Sequence, residues 1–182
     1  MMNRSSNALN LERDLQVDKA LSEAQLERHY GVRLGDLPGT FHTVQHSLSP
    51  TKGSAQPALV TFVCTSRRVA KRQGRKLQHL AGLTEMRHLL GARTETWVSY
   101  ADASHGVAEA DGEWDSPDGR IAVEYDIGSY STAYILEKAH SLERKGYTRL
   151  VWGCPSERLV KSRQKTLSEI GLEARVLYAP WC

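Results

Sequence analysis

Asp111, Glu124, Asp126 and Lys138 are the residues of this chain whose types and spacing can do chemistry. Asp111 lies in the run Ala110-Asp111-Gly112-Glu113-Trp114 and is followed by the turn Ser116-Pro117-Asp118-Gly119. Glu124 and Asp126 close the next run, Ile121-Ala122-Val123-Glu124-Tyr125-Asp126. Side chains alternate along a strand, so Glu124 and Asp126 share one face while Ile121, Val123 and Tyr125 take the other. A tight turn at Pro117 and Asp118 brings Asp111 roughly opposite Glu124. Carboxylates gathered this closely raise one another's pKa unless a cation stands among them. A hard divalent ion, Mg²⁺ or Mn²⁺, is the natural complement, with Asp111 and Glu124 as its ligands and Asp126 assisting. Such an ion activates water and stabilises charge on a phosphate. Lys138 falls on the stripe Ile135, Lys138, Ala139, Leu142 of the following helix, which turns a lysine inward, where it needs a partner. The chain length between Glu124 and that helix lets the lysine fold back onto the acidic face.

Other residues compete for these roles. Glu109 and Glu113 alternate with Asp111 and either can replace it as a ligand, whereas Asp115 and Asp118 read as turn residues. His42, His46, His79, His88, His105 and His140 form no H-E-x-x-H pattern, and only His105, before Gly106, stands in reserve. Cys154 follows a strand but has no positioned base to activate it. Trp97, Trp114 and Trp152 read as core or hairpin-face aromatics.

The elements that must position the site follow from periodicity. Apolar residues at helical spacing from Leu11 to Tyr30 give a helix, a break and a second helix, with Ser22 and Gln25 forming a capping box. The phrase Leu21 to Val32 looks like the middle of a helix-turn-helix, one helix ending at Gly31 before the next begins. Leu34 to Pro57 is rich in Pro and Gly and reads as loops around an ordered piece at Phe41 to Leu48. Leu59 to Cys64 is a strand, and Leu77 to Leu90 an amphipathic helix. Three extended runs follow, at Thr96 to Tyr100, Val107 to Trp114 and Ile121 to Ile127. After them come a helix from Ser131 to Lys145, a strand at Arg149 to Gly153, a helix from Ser156 to Ile170 and a strand at Ala174 to Tyr178. This order predicts an α/β fold with a mixed central sheet flanked by helices.

Net charge is only +3, so its distribution carries the information. Ala58 to Arg93 holds eight Arg or Lys against the single acid Glu85, whereas Thr94 to Asp126 holds nine acids against Arg120 alone. Six of the cations, Arg67, Arg68, Lys71, Arg72, Arg75 and Lys76, fall within ten residues. A one-sign stretch repels itself unless phosphates relieve it, so these six are the expected contacts to a nucleic-acid phosphate backbone. A solvated helix face is the alternative. The three cysteines have no C-x-x-C pair and read as reduced thiols, and no signal peptide or spanning segment is apparent. The expected location is the cytoplasm.

On these residues the chain resembles the PD-(D/E)xK nuclease superfamily, and within it the replication-relaxation-like proteins of plasmids and other mobile elements. The resemblance runs from about Lys76 to Tyr178 and rests on Ala110-Asp111 before a turn, Val123-Glu124-Tyr125-Asp126-Ile127-Gly128, the helix carrying Lys138 and the terminal strand-helix-strand. It implies a restriction-endonuclease-like fold over residues 67–182. Asp111 and Glu124 take the places of the superfamily's two acids, and Glu85 that of its helical glutamate. It also implies a helical or winged-helix DNA-binding segment over residues 1–66, DNA as partner, and a homodimer in enzymes that cut both strands. Asp126 stands where the superfamily lysine belongs, so Lys138 would be a migrated lysine, and Ala110 replaces the proline. The implied activity is metal-dependent phosphodiester hydrolysis. Binding DNA without cutting it, to control replication or transcription, is the alternative, and an RNA-acting nuclease a weaker one.

Overall fold

In the computed structural model, residues 4–49, 56–100, 109–168, 170 and 173–182 are described. Helix α1 (Arg4–Asp18) ends at Lys19, whose φ of 70° turns the chain into a short strand, β1 (Ala20–Ser22). Ser22 then caps α2 (Glu23–Tyr30). Its side chain accepts from the Gln25 amide and its own amide donates to Gln25 Oε1, the reciprocal box expected from the sequence. Gly31, at φ 63°, ends α2 in the left-handed conformation that glycine tolerates. The helix expected next is not there. Residues Leu34–Asp36 make a single 3₁₀ turn, because Gly35, Pro38 and Gly39 deny the segment a propagating helix.

Strands β2 (His42–Leu48) and β3 (Ala58–Cys64) complete an antiparallel three-stranded sheet in the order β1-β3-β2. The short α3 (Arg67–Ala70) leads into α4 (Gly74–Leu89), and a 3₁₀ turn at Thr94–Thr96 leads into β4 (Trp97–Ser99). Then follow β5 (Gly112–Ser116), β6 (Gly119–Tyr125), α5 (Thr132–Arg144), β7 (Arg149–Cys154), α6 (Glu157–Leu167) and β8 (Glu173–Tyr178). The second sheet has the order β4-β5-β6-β7-β8, antiparallel from β4 to β6 and parallel from β6 to β8. The chain is thus α/β, with a mixed five-stranded sheet and an antiparallel three-stranded sheet flanked by helices.

Helix α4 lies between the two sheets, and this placement decides where the site forms. Its Leu77, Leu80, Ala81, Leu83 and Met86 share one core with Val60, Phe62 and Cys64 of the first sheet and Ile121, Val123 and Tyr125 of the second. That core crosses the 66/67 boundary drawn from sequence, and Trp181 joins it by stacking on Phe62. The close approach of α4 to β6 requires glycine. A Cβ on Gly82 would lie well inside 3.0 Å of the Tyr125 ring, and one on Gly153 would strike both Tyr125 and Met86. Helices α5 and α6 cover the opposite face with Ile135, Ala139, Leu142 and Leu167 against Ala122, Leu150 and Trp152. Trp97 and Trp152 are buried core residues and Trp114 packs against the core, as expected. Cys64 and Cys154 are buried and unpaired, and among the described residues no helix is long and apolar enough to cross a membrane.

Candidate active site

The hairpin forms the site by ending early. The strand expected from Val107 begins only at Gly112, residues 107 and 108 being outside the described set. Gly112 pairs with Val123, and one step further side chains replace backbone as partners. The Tyr125 amide donates to Asp111 Oδ2 at 3.0 Å, and the Asp111 amide donates to Glu124 Oε1 at 3.1 Å. Each acid thus satisfies a buried amide on the neighbouring strand, and the exchange draws the two carboxylates together.

Lys138 meets them from α5. The buried residues of that helix include Ile135, Lys138, Ala139 and Leu142, the stripe expected from spacing. Lys138 Nζ lies 3.2 Å from Asp111 Oδ1 and 2.5 Å from Glu124 Oε2. The ammonium thus bridges the two carboxylates. Asp111 is 1% exposed, and Glu124 and Lys138 are 0%. The fourth member is His79 of α4, whose Nε2 lies 3.3 Å from Asp111 Oδ2 and whose side chain, at 19%, is the most exposed of the four.

Burial and charge divide the two acids. Burial by itself raises Asp111, but His79, Lys138 and the Tyr125 amide outweigh it and hold the carboxyl below its ordinary range. Glu124 is raised well above its ordinary value by burial and by the charge of Asp111, with Lys138 only partly opposing them. Burial lowers Lys138, yet Glu124 and Asp111 more than compensate and its ammonium is stabilised. Burial and the charges within the cluster thus favour the ionised form of Asp111 and the neutral form of Glu124, with the Lys138 ammonium between them. The chain matches no model of a known protein family, no curated protein and no solved structure.

The other expected site residues are placed elsewhere. Asp126 is fully buried beyond the end of β6, where Oδ2 accepts from Arg163 Nε at 2.7 Å and Oδ1 from the amides of Gly128 and Ser129 at 2.6 and 3.1 Å. Glu85 is drawn to α2, its Oε2 contacted by Gln25 Nε2, an Arg28 guanidinium nitrogen and His29 Nε2 at 2.8–3.0 Å. Burial opposes that charge, but these partners prevail and lower Glu85 to about 2. Glu113 is bound by Arg120 and by the hydroxyls of Tyr100 and Tyr147, and Glu109 is exposed. Asp118 lies in the turn and pairs with Arg149, and His105 lies outside the described residues. Arg67, Arg68, Lys71, Arg75 and Lys76 are exposed and make no ion pair among the described residues, whereas Arg72 is half-buried. Arg75 and Lys76 precede His79 by four and three residues, so the basic surface runs along α4 toward the acids.

As donors, Asp111 and Glu124 suit a hard divalent ion in kind, since both offer carboxylate oxygens within reach of one cation. Among the described residues no group of three His, Cys, Asp or Glu side chains is placed to hold a metal. Mg²⁺ sites are commonly built from one or two carboxylates completed by water and substrate phosphate, so a two-acid set is sufficient in number.

Proposed function

We propose that this protein is a nuclease-like DNA-processing protein that hydrolyses phosphodiester bonds, with Asp111 and Glu124 holding Mg²⁺ or Mn²⁺ and Lys138 beside them. The observation that carries this reading is the inward Lys138, in contact with both acids at the end of a hairpin. The order helix, three antiparallel strands, helix, strand from α4 to β7 supports a restriction-endonuclease-like core. The order β1-β3-β2 with α1 and α2 supports a winged-helix origin for the N-terminal part, with its recognition helix reduced to the 3₁₀ turn at Leu34–Asp36.

When bound, a divalent ion supplies Lewis-acid stabilisation of phosphate charge and lowers the pKa of water. The protein's own residues do the rest. Asp111 is kept ionised by His79, Lys138 and the Tyr125 amide. Lys138 presents a fixed ammonium to charge developing on the phosphate, in surroundings of low dielectric where such a charge counts most. The exposed cations of α3 and α4 hold the DNA backbone on the side where His79 is accessible.

Complete burial of the Asp111, Glu124 and Lys138 cluster favours a second reading, a DNA-binding protein of replication or transcription control that does not cut. Cleavage of supercoiled, linear, branched and single-stranded DNA with Mg²⁺ or Mn²⁺ separates the two. The nuclease reading expects Glu124→Gln and Lys138→Met, confirmed as folded, to lose at least a hundredfold in rate. Unchanged cutting in both variants overturns the site, and binding without cutting on every substrate establishes the second reading.

A further inference from the structure

The aspartate that stands in the superfamily lysine's place has a partner of its own. Arg163 projects from α6 on the stripe Val160, Arg163, Leu167 and is buried, although its neighbours on the opposite side of that helix, Arg158, Lys161 and Lys165, are exposed. Its Nε donates to Asp126 at 2.7 Å, and a terminal guanidinium nitrogen donates to the Tyr130 carbonyl at 3.1 Å. The second oxygen of Asp126 accepts the Gly128 and Ser129 amides, and the Asp126 amide donates to the Gly153 carbonyl of β7. The loop between β6 and α5 is therefore gripped at residues 126, 128, 129 and 130, directly before Ser131 caps α5. The Tyr130 ring leaves this loop to lie 5.8 Å from Lys138 Nζ at one side and edge-on to Trp152 at the other.

A buried Arg–Asp pair is weak evidence for stability as such, because desolvation offsets much of its attraction. Its geometric effect is larger. Gly128 holds a φ of 93°, and although Ile127 and Tyr130 pack against the two cores, the Asp126 and Arg163 bonds are what fix the backbone between and beside them on its path into α5. We infer that Asp126 and Arg163 are positioning residues which lock the β6–α5 loop and thereby set Lys138 against Asp111 and Glu124. Asp126 thus serves the site through Lys138 and not as a ligand. This rests on the nuclease reading only for its effect on rate, since displacement of about 1 Å at a reacting centre can cost a hundredfold.

The test compares Arg163→Met, Arg163→Lys and Asp126→Asn with Leu167→Ala, which weakens the same helix but leaves the clamp intact. Its first readout, independent of cleavage, is acetylation of Lys138 by acetic anhydride, quantified by mass spectrometry at temperatures giving equal folded fractions. Arg163→Met and Asp126→Asn are expected to raise the Lys138 labelling rate at least tenfold over wild type. Arg163→Lys should fall between, since lysine can reach Asp126 or the Tyr130 carbonyl but not both, and Leu167→Ala should stay near wild type. If wild type cuts DNA, the first two variants should lower kcat at nearly unchanged KM. Should wild type cut nothing while the labelling order holds, the nuclease reading fails and the clamp stands. Equal labelling in Arg163→Met and Leu167→Ala overturns the clamp, whatever the cleavage result.

Discussion

Replacing Lys138 by methionine keeps most of the side-chain volume and removes the only ammonium from a fully buried cluster. Breaking a buried ion pair from one side costs about 3–5 kcal/mol, because the remaining charge is left without its partner. Unfolding entropy near 2.1 cal/mol/K per residue gives a chain of 182 residues about 0.4 kcal/mol per degree, so Lys138→Met should lower Tm by roughly 8–13 °C. Glu124→Gln is the contrasting change. The raised pKa of Glu124 means that the native state keeps a proton which the unfolded state releases above its ordinary value of 4.5. The stabilisation linked to that proton is complete below 4.5 and is lost as pH rises toward the folded value. Glutamine has no charge to desolvate, but its NH₂ group faces either the Lys138 ammonium or the Asp111 amide, so Glu124→Gln should lose clearly less stability than Lys138→Met at pH 7.5. Asp111→Asn, which removes the ionised acid, should cost far more. Thermal unfolding followed by circular dichroism in the presence of EDTA measures all three. A Lys138→Met protein melting within about 2 °C of wild type, or a Glu124→Gln protein as weakened as Lys138→Met, would refute the charge assignment on which the site was built.

Three further outcomes follow from other parts of the molecule. Gly82→Ala gains about 1 kcal/mol of helix propensity but drives a Cβ into the Tyr125 ring; overpacking of this kind costs about 1–3 kcal/mol beyond the gain, and Tyr125→Leu in the same chain should recover most of it in urea unfolding. His88 is lowered to about 3, by burial first and by Arg87 next, so between pH 6.5 and 3 the unfolded chain binds the extra proton and stability falls on acidification; subtracting the His88→Gln stability curve from that of wild type should show this slope, and a flat difference removes the assignment. Changing Arg67, Arg68, Lys71, Arg75 and Lys76 together to glutamine should leave Tm nearly unchanged and flatten the dependence of log K on log salt for duplex DNA by up to about 4, in fluorescence anisotropy; an unchanged slope places the DNA elsewhere.

The sequence disclosed most where an element's own periodicity sufficed. Lys138 was legible because one face of a single helix carries it among Ile135, Ala139 and Leu142, and the meeting of Asp111 with Glu124 was legible because one turn sets the register of one hairpin. Arg163 stands among Val160 and Leu167 by the same logic and offered the same signal. His79 offered less: α4 is buried on most of its circumference, so spacing does not reveal which face meets the acids. Glu85 was misplaced for a related reason, since Gln25, Arg28 and His29 come from a helix some sixty residues earlier in the chain and no local pattern announces them. Strand β1 was hidden because three residues cannot display an alternation, and Gly35 with Pro38 outweighed the helix-turn-helix phrase before them.

The exchange of side chain for backbone at the end of the hairpin also provides the site with its own gauge. The amide protons of Tyr125 and Asp111 point at the carboxylates of Asp111 and Glu124, where a continuing ladder would have aimed them at carbonyls. Their resonances therefore sense the charge of the acid pair from two positions, in the unmodified protein and without a substrate. Two peaks in a ¹⁵N–¹H spectrum can follow whatever cation, ligand or substitution enters the cluster.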